Sequence, residues 1–176
     1  MREEMHPHNN SRNHNHLNHD RAHDRPNDHT HDSRSPPIEY LDHPADLKFR
    51  VYGETIEEAF EYAALAMFGA MIDTATVHQT ETLKIDLVAD DCEDLLYDFL
   101  SELLYLFEAE EIVFGWFDVK RIEERCGKYH LIACASGEEI DTDRHRFDIG
   151  VKAVTFHEMV IERTDRGYLI QAILDT

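Results

Sequence analysis

The chain has 176 residues, with 37 acidic against 17 Lys and Arg side chains, for a formal net charge of −20 at neutral pH. That excess repels phosphate backbones, which excludes tight independent binding to nucleic acid and favours a basic protein partner. No apolar run reaches the ~18 residues of a membrane span, and the N-terminus lacks the apolar stretch of a secretory signal, so a cytoplasmic protein is expected.

The charge is unevenly spread. Residues 1–37 hold eight of the thirteen histidines, four of the five prolines, six asparagines and no aromatic residue, and they are near neutral. Leu17 is the only large aliphatic there besides Met1 and Met5. Ordering such a stretch costs backbone entropy with almost no apolar burial in return, so it reads as a disordered tail. Its histidines can bind divalent transition metals loosely. Ser35-Pro36-Pro37 stiffens the chain and marks a domain boundary near Ile38. The acidic excess belongs almost wholly to residues 38–176.

Residues 38–42 and 47–52 read as short strands, the second alternating Leu47, Phe49 and Val51 with Lys48, Arg50 and Tyr52. Pro44 separates them, making His43-Pro44-Ala45 a turn. Thr55-Ile56-Glu57-Glu58 is a capping box, and Ile56, Phe60, Ala63, Met67 and Met71 then trace one apolar stripe on a helix of about 16 residues. Met67 and Phe68 fit a core stripe better than a ligand groove. Residues 81–88 alternate again. Asp91 or its neighbour caps a second helix with Asp94 in its first turn, and Leu95, Leu96, Phe99, Leu100, Leu103, Leu104, Leu106 and Phe107 give it a wide apolar face.

The remainder reads as strands. Ile112 to Ile122 has Gly115 and Trp116 at an expected bulge. A hairpin turn at Arg125-Cys126-Gly127-Lys128 leads into Tyr129 to Ala135. Asp148 to Phe156, Glu158 to Arg163 and Tyr168 to Leu174 follow, the last two joined by a turn at Thr164 to Gly167. Hairpins joined in sequence favour antiparallel pairing, so the domain is α+β, with two helices packed on a largely antiparallel sheet. Neither GxGxxG nor GxxxxGK[ST] occurs, which leaves nucleotide phosphate loops without support.

Three places carry candidate chemistry. Asp42-His43-Pro44-Ala45-Asp46 puts two carboxylates and an imidazole in one turn, where they can either hold a hard cation or cap the turn itself. Lys152 lies in a strand-like run ending in Phe156-His157, as a cation for a partner or phosphate, or as an edge-strand lysine that discourages aggregation; His157 reads as partly buried. Leu174-Asp175-Thr176 closes an apolar run with carboxylates. If that strand returns beside the first strands, Asp175 and the terminal carboxylate meet Asp46, and such crowding is costly without a cation. All-oxygen ligands suit calcium or magnesium. Cys92, Cys126 and Cys134 include no CxxC and fit a reducing compartment. Cys92 at a helix N-terminus is expected to have a lowered pKa, and Cys134 reads as core. No nucleophile–base pair is evident.

The blocks Glu39-Tyr40-Leu41-Asp42-His43-Pro44-Ala45-Asp46, Tyr52-Gly53-Glu54-Thr55, Ala66-Met67-Phe68-Gly69, Asp94-Leu95-Leu96 with Phe99-Leu100, Val151-Lys152-Ala153-Val154-Thr155-Phe156-His157 and Leu174-Asp175-Thr176 resemble, in order, the archease family over residues 38–176. The family usually has Thr where this chain has Pro44. The resemblance implies a non-catalytic activator of the tRNA-splicing RNA ligase. Such a protein promotes GMP transfer from GTP to the ligase's histidine, sustains multiple turnover and can broaden nucleotide use. It implies a divalent-metal site at Asp46, Asp175 and Thr176, with calcium the first candidate and magnesium or manganese the alternatives. It also implies an activating role for Lys152 and supporting roles for Asp42 and His43. The residues by themselves leave open a metal-binding or chaperone-like interaction protein, and a standalone metal-dependent phosphoester hydrolase.

Overall fold

The computed structural model describes residues 37–43 and 46–176. The expected tail, its histidines, and the Pro44 turn position lie outside the described residues. In chain order the elements are β1 (Ile38–Leu41), β2 (Asp46–Gly53), α1 (Ile56–Met71), a 3-10 turn (Thr74–Thr76), β3 (Glu81–Ala89), α2 (Cys92–Ala109), β4 (Ile112–Arg125), β5 (Lys128–Glu139), β6 (Ala153–Thr164) and β7 (Gly167–Asp175). The α+β class holds. The strands divide into two antiparallel sheets, one ordered β1-β2-β7-β6 and the other β3-β5-β4.

Capping chemistry starts both helices. Thr55 Oγ1 accepts from the Glu58 amide at 3.1 Å, while Glu58 Oε2 accepts from the Glu54 amide at 2.5 Å, one residue before the cap. Asp91 Oδ1 accepts from the Asp94 amide at 2.8 Å. The α1 stripe then buries Phe60, Ala63, Ala64, Met67, Phe68 and Met71, so Met67 and Phe68 are core rather than groove. Phe60 stacks on Phe99 of α2, and Phe68 meets Phe107, Phe114 and Phe117. Both helices therefore share one core with the inner faces of the sheets.

β2 supplies Phe49 and Val51 to that core, and β7 supplies Ile170, Ala172 and Leu174. Period-two alternation sends Asp46, Lys48 and Arg50, with their β7 partners Asp175, Ile173 and Gln171, to the outer face. β4 is an edge strand whose outward amides are covered by α1. Glu61 Oε1 accepts from the Val119 amide at 2.7 Å, and Glu57 Oε1 from the Ile122 amide at 3.1 Å. Carboxylates on a helix thus close a sheet edge that would otherwise be open to pairing. At the far end of the larger sheet, Gly167 has φ +127° and packs against the Gly53 carbonyl, where a Cβ would collide.

Three expectations need correction. Asp148 to Phe156 does not form one strand: residues 148–152 run as an irregular approach, and β6 begins at Ala153. Lys152 accordingly stands just before the edge strand β6 rather than within it. His157 is exposed rather than partly buried, and Cys134 is half-buried on the smaller sheet rather than in the core. The expected bulge at Gly115 is present, with the register shifting between Phe114 and Trp116.

Candidate functional site

The β2–β7 ladder sets Asp46 directly opposite Asp175. Side chains at facing positions lie on the same side of the sheet with Cβ atoms roughly 5 Å apart. Each is preceded or followed by a core residue, Leu174 before Asp175 and Leu47 after Asp46, and this alternation turns both carboxylates outward. β6 flanks β7 on the other side, with Ala153 opposite Asp175.

The approach to β6 closes the corner. The Lys152 amide donates to the Asp175 carbonyl at 2.8 Å, and Lys152 Nζ donates to Thr176 O at 3.0 Å. The lysine side chain therefore already engages the oxygens beside the carboxylate pair. His43 Nδ1 stands 3.2 Å from Asp46 Oδ2. That nitrogen is shielded from solvent, yet the pair is too poorly aligned to make a hydrogen bond. Asp42 is exposed at the end of β1. The structure thus brings Asp46, Asp175, Thr176, Lys152 and His43 to one corner of the larger sheet, with Asp42 at its margin.

A second polar row adjoins the corner. Lys48 is paired with Glu158, and this ammonium holds the Glu158 carboxyl below the ordinary carboxylate range. Arg50 Nε donates to Gln171 Oε1 at 2.8 Å, and Gln171 Nε2 donates to the Glu158 carbonyl at 2.9 Å. Lys48 and Arg50 are thereby committed to their own partners.

The donor set is oxygen-rich. Two facing carboxylates and the Thr176 oxygen fit a hard cation, for which irregular all-oxygen coordination is ordinary. Among the described residues, no group of three or more His, Cys, Asp or Glu side chains is disposed to hold a metal, so the Thr176 oxygens would have to complete the set.

A polar cluster that the sequence did not reveal lies at Glu138. Its carboxylate accepts from Arg144 Nη2 at 2.6 Å and from the His78 amide at 2.6 Å, with His145 Nε2 at 3.3 Å. Arg144, ahead of the other partners, pulls the Glu138 pKa down to about 2. The Asp141 amide donates to His145 Nδ1 at 3.0 Å, so the proton of this buried imidazole sits on Nε2 and points to Glu138. Arg144 Nη1 also donates to the Thr76 carbonyl at 3.0 Å. The cluster pins the 140–152 segment to the body. No spacing signal marked it, because its members meet only through folding. The polar depression beside it, about 650 Å³ and widely open, is no enclosed cleft.

Cys92 corrects another expectation. It begins α2, yet its pKa is raised, by burial first and then by Glu93, with Asp91 and Glu124 adding to it. Burial, with the neighbouring carboxylates, outweighs the helix dipole, and the thiol is not activated.

The fold and the corner together define a small acidic α+β protein that presents an oxygen-lined sheet corner. The signature of the Archease protein family (MTH1598/TM1083) matches residues 38–176. A protein archease of Methanosarcina mazei is 47% identical over 143 residues, covering 81% of this chain and 98% of that protein. One from Pyrococcus furiosus is 44% identical over 138 residues, covering 78% and 96%. The solution structure of Methanobacterium thermoautotrophicum protein 1598 superposes with a TM-score of 0.70 at 40% identity, covering 80% of this chain and 99% of that one. The chain belongs to the archease family.

Proposed function

We propose that this protein activates a tRNA-splicing RNA ligase, promoting guanylylation of the ligase and its multiple turnover, and broadening the nucleotides the ligase accepts. The observation that carries this reading is the facing register of Asp46 and Asp175, beside Thr176 and Lys152, in a chain of this family.

In this reading Asp46, Asp175 and the Thr176 oxygens hold a divalent ion, calcium first, with magnesium or manganese as alternatives. The ion would supply positive charge at the point where nucleotide phosphates and ligase carboxylates meet. Lys152 holds the Thr176 oxygen until an ion takes it, and then offers its ammonium to a phosphate or partner carboxylate. His43 buttresses Asp46 from the turn, and Asp42 extends the acidic rim. The acidic surface brings the protein to the ligase rather than to free RNA.

The test mixes ligase, GTP, metal and RNA ends with and without this chain. Stimulated guanylylation and repeated turnover are expected, with Asp46→Ala or Asp175→Ala removing most of the stimulation. Unchanged ligase turnover at every stoichiometry sinks the proposal. Phosphoester hydrolysis by the chain alone would favour the hydrolase reading. Loss of metal-dependent function on deleting residues 1–37 would favour the metal-binding interaction protein.

A further inference from the structure

β6 contains an irregularity much larger than an ordinary bulge. Thr155 pairs with Ile173 and Val160 with Gln171, so four residues, 156 to 159, stand opposite Ala172 alone. The excursion is fastened at several points. Thr155 Oγ1 donates to the Ile173 carbonyl at 3.0 Å, Gln171 Nε2 donates to the Glu158 carbonyl, and Lys48 pairs with the Glu158 side chain. Glu158 sits at φ +50°, in the left-handed region that a non-glycine residue rarely adopts. Backbone held this firmly in an uncommon conformation usually aims a side chain.

The side chain aimed here is Phe156. Its ring lies flat on Tyr97 of α2, with centroids 4.1 Å apart and an interplanar angle of 10°. Phe156 nonetheless remains 52% exposed. Tyr97 covers one face of the ring, so the stack fixes the ring's plane while much of it stays in water.

The helix beneath is charged in one sense only. α2 carries Glu93, Asp94, Asp98, Glu102 and Glu108 and no Lys or Arg. None of these five acids makes an ion pair among the described residues. Asp94 precedes Tyr97 by three positions and lies on the same helix face, and Asp98 follows Asp94 by four, so Asp94 neighbours both. Glu108, with Glu110 and Glu111 just beyond, opposes the helix dipole at its C-terminal end. The helix dipole favours Glu93 and Asp94 in the first turn but gives no reason for Asp98, Glu102 and Glu108. The Asp94 carboxyl is raised by partial desolvation and by Asp91, Asp90 and Asp98.

We propose that the Tyr97–Phe156 pair, with the carboxylates of Asp94 and Asp98, is a docking surface for an arginine side chain on a basic segment of a partner protein. A guanidinium is planar, stacks on aromatic faces and presents a fork of donors to carboxylates, so one group meets both features of the patch. A nucleic-acid base would also stack on the ring, but its phosphates meet the chain's charge of −20. An anionic membrane and a second copy of this chain meet the same repulsion. The surface needs no metal and does not include the Asp46–Asp175 corner.

The test is calorimetric titration of the full chain with an Arg-Gly-Gly repeat peptide, its Lys-for-Arg counterpart, single-stranded oligouridine and phosphatidylserine vesicles. The arginine peptide is expected to bind roughly fivefold more tightly than the lysine peptide. Phe156→Leu is expected to weaken it about tenfold, and Phe156→Tyr to retain it, which separates loss of the ring from misfolding. Asp94→Asn with Asp98→Asn should weaken binding and flatten its salt dependence. Asp46→Asn and Asp175→Asn should bind as the parent does, so this surface and the ligase-activation reading can fail separately. Backbone shifts on peptide addition should centre on Tyr97 and Phe156. Equal affinity for the two peptides, no effect of Phe156→Leu, preference for the oligonucleotide or vesicles, or self-association through the patch would each overturn the proposal.

Discussion

Asp46 and Asp175 face each other across the β2–β7 ladder, and Lys152 Nζ donates to Thr176 O, the residue beside Asp175, at 3.0 Å. Like charges at facing positions destabilise a strand pair unless a cation joins them.

In chelator, Asp46→Asn is therefore expected to stabilise the fold, by roughly 0.2–1 kcal/mol, since it removes one of two facing charges. Added calcium should raise the melting temperature of the parent and fail to raise that of the variant. Differential scanning calorimetry with and without calcium reads both effects. An equal calcium response in parent and variant would place any bound ion elsewhere.

Lys152→Met tests the other half of the corner. The backbone bond from residue 152 to the Asp175 carbonyl does not depend on the side chain, so the fold should lose less than about 1 kcal/mol. Removing the ammonium takes one competing donor from the Thr176 oxygen, and calcium affinity is expected to rise several-fold at low salt and converge with the parent at high salt. Ligase stimulation should fall in the same variant. A drop in calcium affinity would show that the lysine positions the oxygen rather than competing for it.

Glu61 sets an upper pH limit on stability. Burial between α1 and β4 pushes its pKa up to about 7, with Asp118 and Glu58 adding to the rise and the Val119 amide and Lys120 opposing it. Because the folded value lies above the unfolded one, its stabilising contribution is full below about pH 4.5 and is lost as pH climbs through about 7. Glu61→Gln keeps an acceptor for the Val119 amide and removes the charge. It should be close to neutral at pH 5 and stabilising at pH 8, by about 1 kcal/mol after allowing for solvent access. Urea titrations at the two pH values measure this.

Glu138 acts at the other end of the scale. Its folded pKa is depressed to about 2, so its contribution is present above the unfolded carboxylate value and is lost as pH falls from about 4.5 toward 2. Arg144→Ala removes the largest cause of that depression. The variant should melt several degrees lower at neutral pH, with the gap narrowing under acid. Amide exchange should accelerate across residues 140–152, which Arg144 ties to Thr76 and Glu138.

Both helices were legible because their signals are local. Thr55 with Glu58, Asp91 with Asp94, and the three-and-four spacing of Phe60, Ala63 and Met67 need no knowledge of the rest of the chain. β2 was legible from the alternation of Leu47, Phe49 and Val51, and the same alternation turned Asp46 and Asp175 outward. Their facing register was an expectation that only the sheet order could decide. The stretch from Asp148 to Phe156 misled because its residues suit a strand, while the Asp148 amide instead bonds to the Met71 carbonyl and the strand starts at Ala153. Glu138, Arg144 and His145 left no trace, since hydrogen bonds between the end of a strand and the loop that follows it have no period. Cys92 misled because the helix-terminus rule assumes an exposed, neutral surrounding, while this thiol is partly buried and then crowded by carboxylates.

The pairing of β2 with β7 has a consequence for how the protein comes into being. Its halves lie far apart along the polypeptide, with both helices and the smaller sheet between them. Closing so long a loop is slow, and the contact is made only when most of the molecule is already in place. A partly folded chain would carry its aspartates singly and present no such corner, so any binding that needs both carboxylates would report that folding is complete.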